Sequence, residues 1–488
     1  MAYYHGVRVL ENSTSLTTPI VSTAALQVVV GISPVNLAEK PYESTNVVKL
    51  AYSFSEAATA VGYSNNLKDY NLNQSINATF KQFAVAPIVL INVLDPTKHK
   101  EAIAKETCIV DTLQATVKIE GILLDTLVVE NGETTLQADI DYVTSFDTEG
   151  YVVITLLESG AAKEATSLSV SADKIDPSKV TINDIIGGYN VSTGKESGLE
   201  LIRQVYPLFG ITPGLISSPG YSKNPSVAAV MAAKCLNING LFTCECIVDL
   251  DSTKDGATKY TDVKTVKEKS GLVSCHVEPV WPKVKIGDEV YYYSAIYSAL
   301  IAYVDANNDD VPNLSASNKA IPITGLCLDD DENSEIVIDQ NQGNLVNSFG
   351  VVTAINFNGF RSWGNNSAAY PAITDPKDRW FCCRRFFSWW GNSFILSYFQ
   401  KVDDPSNTRL IEAICDAENI RGNSYVAQGK CAGARITYSE DENPMTQILD
   451  GKIQFKQYLA PYTPAEDILN ILEFDPTLLE AALSGGVA

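Results

Sequence analysis

The sequence predicts a multidomain α/β protein with a β-rich insertion and an extended arm at each end. Three observations carry this reading. Continuous apolar runs alternate with helical runs in residues 25–97 and again beyond Gly187, which is the pattern of a sheet layered with helices. Between them, from about Lys98 to Ile185, short alternating runs separated by turn residues replace that texture. Strand-like stretches also occur near both ends, outside any core segment.

Residues 2–24 read as the first arm. Val7 and Val9 alternate with Arg8, Leu10 follows, and 12–19 is polar and rich in Ser and Thr. Such alternation favours a strand, and a lone strand needs a sheet edge to join. Leu26–Ile32 and Pro87–Val93 are apolar throughout, as strands covered on both faces are. Val47–Tyr52 adds a strand, and Ser55–Val61 and Leu72–Val85 read as helices. In the next stretch Ala115–Ile119, Thr126–Val129, Tyr142–Phe146 and Tyr151–Leu156 alternate, with turns at 130–132 and 147–150. That spacing predicts a small β-sandwich or barrel. The layered texture then resumes: helix Gly198–Tyr206, strand Gly214–Ser217, helix Ser226–Leu236, strands Leu241–Leu250 and Gly271–Val277, helix Ser294–Val304. The acidic clusters 305–310 and 329–335 read as loops.

The last domain is α+β. Asp375-Pro376 supplies a cap and a first-turn proline, and Gly391 is expected to end that helix. Trp380, Cys383, Phe387 and Trp390 recur along it at helical spacing, which favours core packing over a carbohydrate platform. Asp404-Pro405 opens a second helix, with Gly422 expected to close it. Leu410, Ile411, Ile414 and Ala417 mark its buried face, opposite Arg409, Glu412, Asp416 and Asn419. Strands follow at Ala434–Tyr438 and Ile453–Leu459. Beyond Pro461 and Pro464, Ile468–Phe474 reads as a final strand before a small-residue tail, 484–488.

The formal net charge is −22, and such a surface repels a phosphate backbone, so nucleic acid is not an expected partner. No apolar run reaches the ~20 residues of a membrane-spanning helix. The first residues, MAYYHGVRV, have neither the basic nor the apolar part of a classical signal peptide. Ten cysteines show no zinc-site or disulfide-scaffold spacing, so reduced thiols and a reducing cytoplasm are expected. The charge is uneven: seven of nine arginines lie between Arg361 and Arg435, and 377–435 holds nine Lys/Arg against six Asp/Glu. These arginines either brace helices or present a basic surface to an acidic partner.

A catalytic site is hard to build. His5, His99 and His276 are the only histidines, and Asp249, Asp251 and His276 are the nearest approach to a hydrolytic set. A serine hydrolase also needs a nucleophile on a sharp Gly-rich turn, and none follows His276. Gly187-Gly188 lacks phosphate-loop spacing. The 305–310 cluster lacks the Gly and the bidentate Glu of a calcium loop, leaving only a loose surface cation. No catalytic, metal or cofactor-binding residue is expected, and no cofactor.

The fragments FRSWGN (360–365), FILSYFQKVDDPSN (394–407) and AENIRGNSYVAQGK (417–430) resemble the carboxyl-terminal domain of contractile phage tail-sheath proteins. GVRVLENSTSLTTPIVSTAALQVVVGISPVN (6–36) resembles that family's amino-terminal arm and first core strand. The resemblance implies a subtilisin-like but non-catalytic α/β layer carrying the insertion. It divides the chain into an arm (1–24), the first part of the core (25–97), the insertion (98–185), the subtilisin-like domain (186–358), the carboxyl-terminal sheath domain (359–464) and a second arm (465–488).

The implied function is mechanical. Subunits form rings, hexameric in the family, stacked around a tail tube within a virion's contractile tail, assembled in the bacterial host cytoplasm. Contraction drives the tube through a cell envelope. Implied partners are other copies, the tube protein, and baseplate and tail-terminator proteins. The arm strands would be Val7, Arg8, Val9 and Leu10 at one end and Ile471, Leu472 and Phe474 at the other. The accepting sheet would hold Ile436, Ile453, Phe455 and Leu459. Arg409, Arg421, Arg384, Arg385 and Lys430 would face the tube. Alternatives are a subtilase-type hydrolase, or the sheath of a phage-tail-like bacteriocin or injection system.

Overall fold

The computed structural model describes residues 20–21 and 23–484; Val7, Arg8, Val9 and Leu10 lie outside them. The core is a six-stranded sheet built from β1 (Gln27–Gly31), β2 (Val48–Ala51), β3 (Ile88–Asn92), β4 (Leu215–Ser217), β5 (Glu245–Asp249) and β6 (Val277–Val280). Their spatial order is β6-β5-β4-β1-β3-β2. All neighbours are parallel except β2, which runs antiparallel to β3 at the edge. The runs Val28-Val29-Val30 and Ile88–Ile91 have no solvent exposure, because helices cover both faces of a parallel sheet. Val29 packs with Leu72 and Ile76 on one side, and Val28 and Val30 join the larger core on the other. Helix α1 (Tyr293–Ala306) crosses that core with twelve of its fourteen residues buried, which is why it is apolar around its whole circumference.

Residues 100–175 form a separate lobe. Its two sheets have three and four strands, and Val129, Val152, Ile154 and Leu168 belong to a core of its own. The chain enters on Lys100–Ile109 and leaves on the antiparallel Ser167–Ile175, with Lys100 directly opposite Ile175. Ile175, Val180 and Ile185 pack into the main core instead, so the natural excision is 101–174. Paired residues lie about 5 Å apart, and two or three Gly/Ser residues close the gap. Excision should leave a cooperatively folded protein that still assembles, less stable by about 2 kcal/mol because Leu123 also reaches the main core. Calorimetry together with electron microscopy of the excised protein checks this, and a remainder that does not fold counts against a peripheral lobe.

The structure differs from the sequence reading at several elements, two of them next to the sheet. The expected strand at Gly271–Val277 is a turn and loop, and the strand proper is Val277–Val280. Glu278 and Pro279 broke the apolar pattern there, yet Glu278 is buried. The hairpin of Lys283–Ile286 and Glu289–Tyr291 was missed; the Gly287-Asp288 turn was its readable signal.

Candidate assembly surface

The carboxyl-terminal region is organised by two long helices, α2 (Phe381–Tyr398) and α3 (Thr408–Ala427), and by a hairpin-like pair, β7 (Cys431–Thr437) and β8 (Lys456–Pro461). Neither glycine stop is observed. α2 runs seven residues past Gly391, bracketed by the buried Trp390 and by Asn392, which donates to Thr243 O and accepts from Thr243 N (2.7 and 3.0 Å). A mid-helix glycine costs only about 1 kcal/mol relative to alanine, and such tertiary anchors outweigh it. α3 starts at an Asn407 cap rather than at Asp404-Pro405. It passes through Gly422, whose Cβ would lie 2.5 Å from Ala434 O; glycine there lets α3 press against β7.

Ile436 lies in β7 and Leu459 in β8, both turned inward, Leu459 packing with Trp390 and Tyr425. Ile453 and Phe455 precede β8 rather than forming it. With Phe394 and Ile436 they line an open groove of about 440 Å³. Asn419 accepts from Ile436 N and donates to Ile436 O (3.0 and 3.3 Å), and so occupies the outer edge of β7 at that point. The edge left available is that of β8. Its outer face carries Lys456 and Tyr458, with the Arg435 guanidinium 4.6 Å from the Tyr458 ring centre.

The chain then leaves the body. Arg379 binds Glu466 at 2.7 Å, and beyond it Ile468, Leu469, Ile471, Leu472 and Phe474 are 73–87% exposed. Ile471, Leu472 and Phe474 lie in no strand within one protomer. A helix, α4 (Pro476–Ser484), follows in a stretch the sequence reading left unassigned; residues 485–488 of the expected tail lie outside the described residues. Asp475-Pro476 is the same cap-and-proline signal that marks Asp375-Pro376, and Asp475 accepts from Thr477 N at 2.8 Å. No Lys or Arg follows Lys456, whereas five Asp or Glu do.

The five basic residues separate by environment. Arg385 is buried and paired with the fully buried Asp305, so it is unavailable to a tube. Burial works against its charge, but Asp305 more than offsets that and raises its pKa. Lys430 is also buried, its ammonium on Asn308 O, Asn308 Oδ1 and Asp309 (3.0, 2.7 and 2.9 Å). Arg384 binds Asp378 at 3.1 Å. Arg421 binds the buried Glu418 at 2.9 Å and stacks on Trp390. α3 continues to Ala427, about two turns past Arg421, so the residue does not sit at the helix end. Arg409 alone of the five is exposed.

The hydrolytic set is not brought together. Asp249 ends β5 and accepts from Gly220 N, Ser222 Oγ, Ser294 N and Ser294 Oγ, at 2.7–3.1 Å. Asp251 accepts from Thr253 N in the following loop. His276 lies at the opposite end of β5, its Nδ1 3.3 Å from Glu245. Four residues of strand, about 13 Å, separate the two ends. Burial disfavours charge on His276, but hydrogen bonds to Cys275 and Glu245 outweigh it and raise the pKa to about 10. A raised imidazole pKa stabilises the fold fully below the ordinary value of about 6.5, and that contribution fades as pH rises towards 10. Accordingly, the stability gap between wild type and His276→Gln should narrow from pH 6.5 to 10, measured by urea unfolding at each pH. A constant gap counts against a charged His276–Glu245 pair.

An α/β body with a separate lobe, an available sheet edge and an exposed apolar extension is the anatomy of a subunit that joins copies of itself. Comparison with known proteins agrees. No family model matches the chain. It is 24% identical over 477 residues to the tail sheath protein of Burkholderia phage BcepMu, covering 94% of each. It is 23% identical over 320 residues to the major tail sheath protein of Serratia phage KSP20, covering 63% of this chain and 75% of that one. Among solved structures, a chain of the anti-feeding prophage baseplate matches with a TM-score of 0.58 at 13% identity, covering 97% of this chain and all of that one. The contracted sheath complex of the PVC extracellular contractile injection system matches with a TM-score of 0.58 at 14% identity, over 98% and 99%. These structures share the fold, and the chain is similar along its length to a phage tail sheath protein.

Proposed function

We propose that this chain is the sheath subunit of a contractile tail, polymerising around a tube and shortening to drive it through a cell envelope. Its role is structural, not enzymatic. The observation that carries this is the similarity to the BcepMu tail sheath protein along 94% of both chains. Negative-stain microscopy of the purified protein tests it. Tubes or stacked rings are the expected result, and a monodisperse particle at every concentration and salt would sink it.

We infer the linkage as follows. The apolar stretch Ile468–Phe474 of one copy, and residues before Ile20, add strands to a neighbour's sheet, so main-chain hydrogen bonds join subunits. The β8 edge and the groove at Phe394, Ile436, Ile453 and Phe455 receive the apolar residues of Ile468–Phe474. Paired strands hold while bodies rotate about the linkers, so a repeated interface can switch cooperatively. Tube, baseplate and terminator proteins, assembly in the host cytoplasm, and a subtilisin-like ancestry of the central layer are parts of the same reading. Arg409 remains the candidate for the tube-facing surface. Arg409→Glu should leave the melting temperature unchanged and weaken tube-templated assembly at low salt, since an exposed charge matters only by repetition. Arg421→Glu should instead destabilise the protomer by about 2 kcal/mol, because it faces buried Glu418 with a like charge. Thermal melts and sedimentation with and without tube separate the two. Normal templated assembly of Arg409→Glu counts against tube contact.

A further inference from the structure

We propose that the acidic segment 305–310, expected as a loop but formed by the last two residues of α1 and the turn after it, is a coupling joint, in which Asp310 positions the root of the amino-terminal arm and Asn308 and Asp309 fasten that root to the carboxyl-terminal domain. The proposal rests on the reading that the residues before Ile20 act as an arm.

The chain reaches the body at Ile20–Val21, paired in parallel with Val85–Ala86. Immediately afterwards it meets one carboxylate. Thr23 N lies 2.9 and 3.1 Å from the two Asp310 oxygens, Ala24 N lies 2.9 Å from Oδ1, and the Thr23 hydroxyl also donates. Two successive backbone N–H groups aimed at one ionised acceptor make charge-assisted bonds, stronger than neutral ones. They fix both the position and the direction of the chain at its root.

The same loop is bound on its other sides. Asp305 closes on Arg385 of α2. Asp310 N donates to Asp305 O at 2.9 Å, and Asp309 and Asp310 both hold left-handed backbone (φ 57° and 58°), a conformation that must be held by its surroundings in residues other than glycine. The ammonium of Lys430, one residue before β7, makes all three of its contacts to Asn308 and Asp309. Six residues therefore tie the arm root, the end of α1, helix α2 and the start of the β7–β8 sheet to one another. The departure point of one arm and the sheet that would receive another copy's arm move as one piece.

The test is hydrogen exchange of full-length protein, kept dilute and unpolymerised, read at the Thr23 and Ala24 amides with α1 as internal reference. Asp310→Asn should speed exchange at both amides about tenfold and leave α1 unchanged. Lys430→Met, which removes a side chain that does not touch the arm root, should also speed them, and Lys430→Arg should restore most of the protection. If Lys430→Met leaves Thr23 and Ala24 unchanged, the loop does not couple the two regions. If Asp310→Asn leaves them unchanged, the carboxylate does not hold the root. Faster exchange throughout α1 in both variants means a merely structural loop and overturns the proposal. Because the readout is made on the protomer, it stands or falls separately from tube formation by microscopy.

Discussion

Deleting residues 465–488 should abolish tube formation while the protomer still folds. Every described residue from 465 to 484 is exposed, and Arg379–Glu466 is the one ion pair that ties this segment to the body among the described residues. An exposed charge pair contributes at most about 1 kcal/mol, so the melting temperature should fall by no more than about 3 °C. Polymerisation should be lost outright, since the deletion removes Ile468, Leu469, Ile471, Leu472, Phe474 and the whole of α4, whose Leu478 and Leu483 are each 70% exposed. A protein that leaves this much apolar surface in water is covering it with something in its assembled state. Sedimentation velocity and microscopy of the truncated protein give the answer. Tubes from the truncated chain would remove the arm from the mechanism, and an unfolded product would make it part of the core.

Arg385→Met should cost about 3–5 kcal/mol, because it strands Asp305 without a partner in the interior. Asp305 is fully buried, and burial already pushes its carboxyl pKa up despite Arg385. Glu245 and Glu278 are buried nearby, and both carboxylates favour the charge on Arg385. The double variant Arg385→Met with Asp305→Leu should recover most of the loss, since a buried pair replaced by apolar groups is often near neutral. A double-mutant cycle from urea denaturation measures the coupling. A single variant within 1 kcal/mol of wild type would show that the Arg385–Asp305 pair adds little to the packing at Phe386 and Trp390 and the Asn392–Thr243 hydrogen bonds that also hold α2.

The central strands β1 and β3 were legible because their runs are apolar on both faces, and nothing but burial between layers satisfies such a run. The insertion was legible because period-two alternation with turn residues cannot be read as helix. The helix stops at Gly391 and Gly422 were misjudged for the opposite reason. Glycine is a weak local signal, and contacts from Thr243, 149 residues from Asn392, and from Ala434 on the strand that follows α3 decide whether a helix continues past it.

The basic cluster shows where sequence runs out. Counting charges between Lys377 and Arg435 gave a local excess that suggested a surface. The fold places Arg385 against Asp305, Lys430 against Asp309 and Arg421 against Glu418, leaving Arg409 exposed among the five candidates. Hydrophobic period and turn chemistry are local and survive in the order of residues, so the sequence by itself determined the layered core, the lobe and the apolar extension. That Arg385 faces Asp305, Lys430 faces Asn308 and Asp310 holds Thr23 depends on pairs 80 to 287 residues apart, and only the tertiary structure brings those together.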